Sequence, residues 1–223
     1  DLSQFGLDSF DTLVFINGLY QDDFSSVPNN VNLMSHQEYL ERCNWEVHQP
    51  NASPFDLLNT AFMDSGICIT IEQGNKIDVP LRMLNITSGV SGTMISPRVH
   101  LDIGESCSMQ LIEQHVGHTG EYFCNQSTII SIEKNARLDH VIIQNNSRNT
   151  INMANIHVKQ QQDSNYTFSQ FAFGGELSRL NLYAEMLGKN ANCSISGLNL
   201  SDGNQHLDSN IVTNHCASHC TSS

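Results

Sequence analysis

The chain has 223 residues, 39% of them hydrophobic, which is enough to build the core of one large domain or two small ones. Its 23 acidic and 10 basic side chains give a net charge of −13, which excludes nucleic-acid binding because phosphate contacts need a basic surface. No run approaches the roughly 20 apolar residues of a membrane span, so we expect no membrane partner.

The cysteines are odd in number and irregularly spaced, at Cys43, Cys68, Cys107, Cys124, Cys193, Cys216 and Cys220. Such a set does not form a disulfide framework in a chain of this size, and it favours a reducing compartment. The chain begins at Asp1 with neither methionine nor a signal-like stretch, and we interpret it as a fragment of a longer protein.

The first elements in chain order are a hairpin and a helix. Residues 11–20, DTLVFINGLY, place β-branched and aromatic residues on both sides of an Asn-Gly pair, which predicts two strands joined by a tight turn. Ser35 and Glu38 have the spacing of a capping box, which predicts a short helix after them.

A second helix is predicted where Ser53 provides an N-cap and Pro54 the first helical position. Its apolar face comprises Leu57, Leu58, Ala61 and Phe62. The polar stretch before it resembles a linker. We therefore divide the chain into an N-terminal β/helical segment with linker, residues 1–52, and a core domain, residues 53–223.

From Ile67 onward the helical period is replaced by a longer repeat, in which an alternating strand, a turn and a second alternating strand recur. The positions just after the turns are Ile77, Cys107, Ala136, Asn165 and Ala191, at intervals of 30, 29, 29 and 26 residues. Repeats of this length indicate stacked supersecondary units.

One coil of a parallel β-helix has this length and contains two or three short strands. Alternate positions carry the apolar residues that should point inward: Ile67, Ile69, Ile71, Val99, Leu101, Ile103, Ile130, Ile132, Leu180 and Leu182. The sequence therefore predicts a mainly β fold, a parallel β-helix. A β-sandwich is the second choice, because its connections need not recur at a fixed length.

Three stretches carry a family resemblance: PFDLLNTAFMDSGICITIEQGNKIDVPLRML, IEQHVGHTGEYFCNQSTIISIEKNARLDHVIIQ, and FGGELSRLNLYAEMLGKNANCSISGLNL with the segment that follows it. They resemble the core of the SufB/SufD family of iron–sulfur cluster assembly scaffolds. The version of the coil that begins FGGELSR is closer to SufD, and the Gly-Cys-Ser/Thr-Ala-Pro run of SufB is absent.

The resemblance implies a right-handed parallel β-helix flanked by helices and without catalysis of its own. It also implies pairing with SufB and with two copies of the ABC-type ATPase SufC, to build iron–sulfur clusters for apo-proteins in a bacterial cytoplasm or a plastid stroma. Family members continue past residue 223 with the ATPase-docking segment and a Cys-x-His-Gly motif, which no position here matches. We expect no stably bound cofactor and a transient iron–sulfur cluster at the complex interface.

The last residues, TNHCASHCTSS, hold the candidate metal-contacting side chains His215, Cys216, His219 and Cys220. On a helix these four could form a tetrahedral zinc site. The preceding HLDSNIVT favours a strand, in which positions four apart lie roughly 13 Å from each other. The sequence therefore predicts only transient contacts with iron or sulfide, and the alternative is that the cysteines are small core residues.

Other functions remain open at this stage. A secreted β-helix enzyme acting on polysaccharides would need clustered carboxylates, and Asp202 and Asp208 are the close pair in the late coils. A purely structural repeat protein is a third alternative. Gly188 and Lys189 are followed by Asn190 and do not complete a P-loop, so the ATPase must be another chain. An open last coil also predicts self-association into a homodimer.

Overall fold

The computed structural model describes residues 10–42, 53–63, 66–88, 91–117 and 120–223. In these ranges the chain is mainly β and winds into a parallel β-solenoid of about five turns, which confirms the predicted fold class. The linker predicted before Ser53 lies largely outside the described residues.

The strands, in chain order, are β1 (Thr12–Ile16), β2 (Leu19–Tyr20), β3 (Val31–Ser35), β4 (Gly66–Ile71), β5 (Leu81–Thr87), β6 (Thr93–Ile95), β7 (Arg98–Ile103), β8 (Ser108–Gly117), β9 (Tyr122–Ile132), β10 (Arg137–Asn145), β11 (Ile151–Gln160), β12 (Asn165–Ala172), β13 (Leu177–Met186), β14 (Asn192–Asn199), β15 (His206–His215) and β16 (Thr221–Ser222). The helices are α1 (His36–Arg42) and α2 (Pro54–Phe62), with a 3-10 turn at Asp22–Phe24.

Two sheets form the walls of the solenoid. Sheet 1 has the order β16-β14-β12-β10-β8-β5-β1-β2, and sheet 2 has the order β15-β13-β11-β9-β7-β4-β3, with β6 also paired to β9. The predicted hairpin is confirmed: Asn17 and Gly18 have φ of 51° and 83°, as a two-residue hairpin turn requires. Its strand β1 pairs in parallel with β5, and β3 pairs with β4, so the N-terminal segment extends both sheets.

Tight corners lead from β7, β9, β11, β13 and β15 of sheet 2 to the next strand of sheet 1, at residues 104–107, 133–136, 161–164, 187–191 and 216–220. Each corner contains one non-glycine residue in the left-handed region: Ser106, Asn135, Asp163, Asn190 and His219. The backbone N–H of Asn135 donates to Gln162 in the following corner, and that of Asp163 donates to Lys189. The corners therefore stack as hydrogen-bonded columns.

Strand register corrects two of the positions that the sequence aligned. Cys107, Ala136, Ser164 and Ala191 are equivalent, because the residues that follow them pair with one another. Asn165 is therefore one residue too late, and Ile77 is two residues too late, since Lys76 pairs with Ser108. The equivalent position was misplaced because each turn lies in a polar stretch, in which neighbouring residues give nearly the same repeat length.

The core lies between the sheets, and all ten side chains expected to point inward are buried there. Cys68, Cys107, Cys124 and Cys193 are buried as well, as small apolar side chains would be. Burial of this continuous apolar cluster across successive coils is the main stabilising contribution to the fold.

Both predicted helix starts are confirmed. The N–H of Glu38 donates to Ser35 Oγ at 3.2 Å, and Ser53 with Asp56 forms a capping box at α2. The apolar residues of α2 do not face the core, however: Leu57 and Phe62 are 47% and 58% exposed, whereas Asp56 and Asn59 are buried. Neither helix in the described ranges is long and apolar enough to cross a bilayer.

Candidate functional site

The stretch that the sequence singled out is a corner, not a strand. Only His215 lies in β15; residues 216–220 turn the chain toward β16, and His219 adopts a φ of 64°. The prediction that a strand carries all four residues was therefore wrong. His219 takes the place that Ser106, Asn135, Asp163 and Asn190 have in the earlier corners.

His219 is exposed, and the other three side chains each have their own surroundings. His215 Nε2 lies 2.9 Å from Ser222 Oγ, and Cys220 Sγ donates to the Gly188 carbonyl at 3.3 Å. Cys216 is exposed, with its Sγ 3.8 Å from the Asn214 carbonyl. Throughout the described residues, no group of three or more His, Cys, Asp or Glu side chains is arranged to hold a metal ion. Transient contact of these residues with iron or sulfide remains a prediction.

The position of Cys220 recurs in every coil. Because Asn192 pairs with Thr221, Cys220 is equivalent to Ala191, and further back to Ser164, Ala136 and Cys107. The Cys107 thiol likewise donates to a carbonyl of the preceding corner, that of Glu72, at 2.9 Å. A small side chain at this position packs under the corner, so the structure gives Cys220 a structural role.

A buried polar network, formed by Glu113, His115, His140 and Tyr166, was not predicted from the sequence. All four side chains are at most 5% exposed, inside the solenoid. The Glu113 carboxylate lies 2.9 Å from His140 Nε2 and 3.3 Å from His115 Nε2. His140 Nδ1 lies 3.1 Å from Tyr166 Oη, so the hydrogen bonds link three neighbouring strands of sheet 1.

The electrostatics of this network centre on Glu113. Burial by itself would raise the pKa of this carboxyl, but hydrogen bonds from His115 and His140, together with their positive charge, hold the pKa at about 2. Burial raises the pKa of Tyr166 well above its ordinary value, so the phenol keeps its proton. The group is thus a buried carboxylate satisfied by imidazoles, and period-two alternation along β8 was the signal that could have placed Glu113 and His115 inside.

A second buried pair joins α2 to the outer face of sheet 2. Asp56 Oδ1 lies 3.0 Å from His157 Nε2, and the imidazole stacks on Tyr183 with centroids 5.2 Å apart. Burial opposes ionisation of Asp56, but the bond and charge of His157 and the bond from the Ser53 N–H lower its pKa overall. Polar contacts therefore hold α2 to the solenoid.

Arg98 secures the other half of α2. Its Nε donates to Asn59 Oδ1 at 2.9 Å and a terminal nitrogen donates to Thr60 Oγ1 at 2.7 Å. Burial lowers the pKa of the guanidinium to about 10. Asn59 in turn donates to the carbonyl of Asn125 at 2.7 Å. These contacts explain why the polar side of α2, and not its apolar side, faces the sheet.

The carboxylates considered for a polysaccharide enzyme do not act as a pair. Asp202 bonds Arg148 at 2.7 Å, and Asp208 bonds Arg179 at 2.7 Å. Each is neutralised by its own arginine near the surface, an arrangement typical of structural ion pairs. The geometry gives no support to acid–base chemistry at these two residues.

Comparison with known proteins identifies the family. Residues 85–223 match the family described as SUF system FeS cluster assembly, SufBD core domain. The ABCI7 protein of Arabidopsis thaliana chloroplasts is 27% identical over 158 residues, covering 66% of this chain and 33% of that protein. The iron–sulfur cluster assembly protein SufD of Escherichia coli is 25% identical over 175 residues, covering 77% and 41%.

A SufBD family protein of Synechocystis is 24% identical over 225 residues, covering 91% of this chain and 49% of that protein. The chain thus spans between a third and a half of the length of these relatives. The matched region comprises the strands from β5 onward, and the resemblance seen in the sequence is confirmed. The chain belongs to the SufBD core domain family of the SUF iron–sulfur cluster assembly system and is SufD-like.

Proposed function

We propose that the chain is a non-catalytic scaffold subunit of the SUF machinery, pairing with a SufB-like sister subunit and with the ATPase SufC. The observation that carries this proposal is the family match over residues 85–223. Its location is then the bacterial cytoplasm or the plastid stroma, as the bacterial and chloroplast relatives suggest. Iron–sulfur clusters are cargo in this role.

The ends of the sheets bear on self-association. Within the described residues, β15 is paired only with β13, and β16 only with β14. Open strand edges pair with another strand when one is supplied. Self-association of this 223-residue chain through these edges stays a second prediction.

The corner at residues 216–220 is the proposed place of transient iron or sulfide contact. Of its two thiols, Cys216 is exposed and Cys220 is tied to the Gly188 carbonyl. Cys216, with His215 and His219 as neighbours in sequence, is therefore the residue to which we assign any contact. Thiolate and imidazole groups are ligands that iron–sulfur chemistry accepts.

Co-expression tests the scaffold proposal. The tagged protein, expressed with the SufB and SufC proteins of the same genome, should purify as a complex that contains both. Purification without either partner would contradict the proposal, and activity on a polyuronide would support the enzyme alternative instead.

Single cysteine substitutions test the corner. Cys216→Ser should leave complex formation intact and lower the yield of reconstituted cluster modestly, whereas Cys220→Ser should change neither. Equal yields in wild type and Cys216→Ser would contradict the proposed contact at Cys216. Loss of all cluster assembly would show that the role of Cys216 is greater than proposed.

A further inference from the structure

Four apolar side chains form a stripe on the outer face of sheet 2, near the start of its strands. Strand register places Met94, Phe123, Ile151 and Leu177 side by side on β6, β9, β11 and β13. Their neighbours Ile95, Cys124 and Ser178 are buried, so the four point outward. Ile151 is 43% exposed and the other three are half-buried.

The stripe borders an open groove of about 590 Å³, whose lining includes Met94, Phe123 and Ile151. Helix α2 lies beside the stripe. Its Phe55 packs edge-on against Phe123, with ring centroids 6.4 Å apart. Exposed apolar groups in a contiguous row, unlike scattered ones, mark interaction surfaces. The row lies near the start of the strands, whereas the corner at residues 216–220 follows the end of β15, and the row ends on β13, next to β15.

The charged residues in the described lining of the groove are acidic. Glu121 and Glu176 line it and are exposed, and its described lining includes no Lys or Arg. Arg148, which precedes Asn149 of the lining, is paired with Asp202, and the nearby Arg179 is paired with Asp208. The whole chain carries a net charge of −13, which adds to the negative potential of this face. Charge complementarity therefore selects a basic partner segment.

The geometry selects a helical partner. The strands β9, β11 and β13 have neighbours on both sides, so a partner cannot add a strand beside them, whereas β6, at the end of the row, is paired only with β9 among the described strands. Adjacent strands lie about 4.8 Å apart, close to the 5.4 Å pitch of an α-helix. A helix lying across the strands would therefore place one apolar side chain per turn against each of the four side chains of the stripe.

We propose that this stripe is a docking surface for a basic, amphipathic α-helical segment of a partner protein. The apolar face of that helix contacts Phe123 and Ile151, and its flanking Lys or Arg side chains pair with Glu121 and Glu176. The inference rests on this surface and does not depend on the scaffold role proposed above.

A peptide titration tests it. The probe is a labelled amphipathic peptide of about 14 residues, long enough for the four side chains of the stripe, with Leu at each third or fourth position and Lys on both flanks. A second peptide carries Glu in place of Lys. Fluorescence anisotropy with the full chain should show binding of the Lys peptide, weakened by added salt, and at least about tenfold weaker binding of the Glu peptide.

Matched variants locate the site. Ile151→Ser should weaken binding of the Lys peptide about tenfold, and Leu198→Ser, which changes a similarly exposed side chain on sheet 1, should have less than about a twofold effect. The double variant E121Q/E176Q, which removes only charge, should weaken both the binding and its salt dependence. This variant tests the site if Ile151→Ser does not fold.

Several results would overturn the proposal: no binding of the Lys peptide, equal binding of both peptides, or equal effects of Ile151→Ser and Leu198→Ser. A dimer seen by sedimentation and dissociated by Ile151→Ser would assign the stripe to a second copy of the chain instead.

Discussion

The interior of the solenoid has two halves of opposite chemistry, and single strands run from one to the other. In β8, Met109 and Leu111 belong to the apolar cluster, while the next two inward positions are Glu113 and His115. All four are equally buried, so burial does not distinguish them. The apolar half is held by non-directional packing, and the polar half by specific hydrogen bonds; they should therefore respond differently to substitution.

The largest expected effect is the loss of the central carboxylate. Glu113→Ala leaves His115 and His140 buried without their acceptor, and removal of one partner from such a group costs about 3–5 kcal/mol. Urea denaturation measures this loss. Glu133→Ala at an exposed corner position is the control and should cost under about 0.5 kcal/mol. Similar losses in the two variants would show that the network contributes little to stability.

Acid should weaken the polar half selectively. The pKa of Glu113 is about 2 in the folded chain against an ordinary 4.5, so its contribution to stability is present above about pH 4.5 and is lost as the pH falls toward 2. The shift corresponds to about 3 kcal/mol. The free energy of unfolding, measured against pH, should therefore fall more steeply in wild type than in Glu113→Gln.

Asp56 also has a lowered pKa, so Glu113→Gln should retain some dependence on pH in the same acid range. The difference between the two profiles reports on Glu113 together with His115 and His140, which are bonded to it. Parallel profiles between pH 4.5 and 2 would mean that this carboxyl is not ionised in the native state.

Near-isosteric substitutions sharpen the contrast between the halves. Glu113→Gln keeps the shape of the side chain but turns one acceptor into a donor that faces an imidazole, which should cost about 1–3 kcal/mol at neutral pH. Leu111→Met, two residues away in the same strand, keeps the volume and should cost under about 1.5 kcal/mol. Thermal and urea unfolding of both variants would check this ranking. A larger loss of stability in Leu111→Met than in Glu113→Gln would contradict the proposed difference between the two halves.

The apolar half could be predicted from the sequence, and the polar half could not. Leu101, Ile130 and Leu182 stand at alternate positions of repeated strands, and period-two burial places such residues inward without knowledge of their neighbours. The contact between Glu113 and His140 spans 27 residues and depends on exact register between coils. Alternation could place each residue inside, but a one-residue slip would have separated them.

Helix α2 shows a similar limit. Ser53 and Pro54 predicted its start from local chemistry, and the structure has the same start, with Asp56 completing the capping box. The face it buries depends on the outer surface of sheet 2, where His157 and Arg98 provide polar partners. Tertiary contacts therefore override the apolar pattern of the helix, and no local signal in residues 54–62 indicates this.

The smallest effect is expected at the last corner. Cys220→Ser should change the free energy of unfolding by under about 0.5 kcal/mol, because Ser164 and Ala191 occupy the equivalent position in other coils. Cys107→Ser, at the same position in a fully covered coil, should cost more, because Cys107 packs within the apolar cluster, where the smaller and more polar serine loses contacts. Calorimetry of the two variants gives the comparison. If Cys220→Ser destabilised the chain as much as Cys107→Ser, the equivalence of the corners would not extend to their energetics, and a role for Cys220 beyond packing would have to be considered.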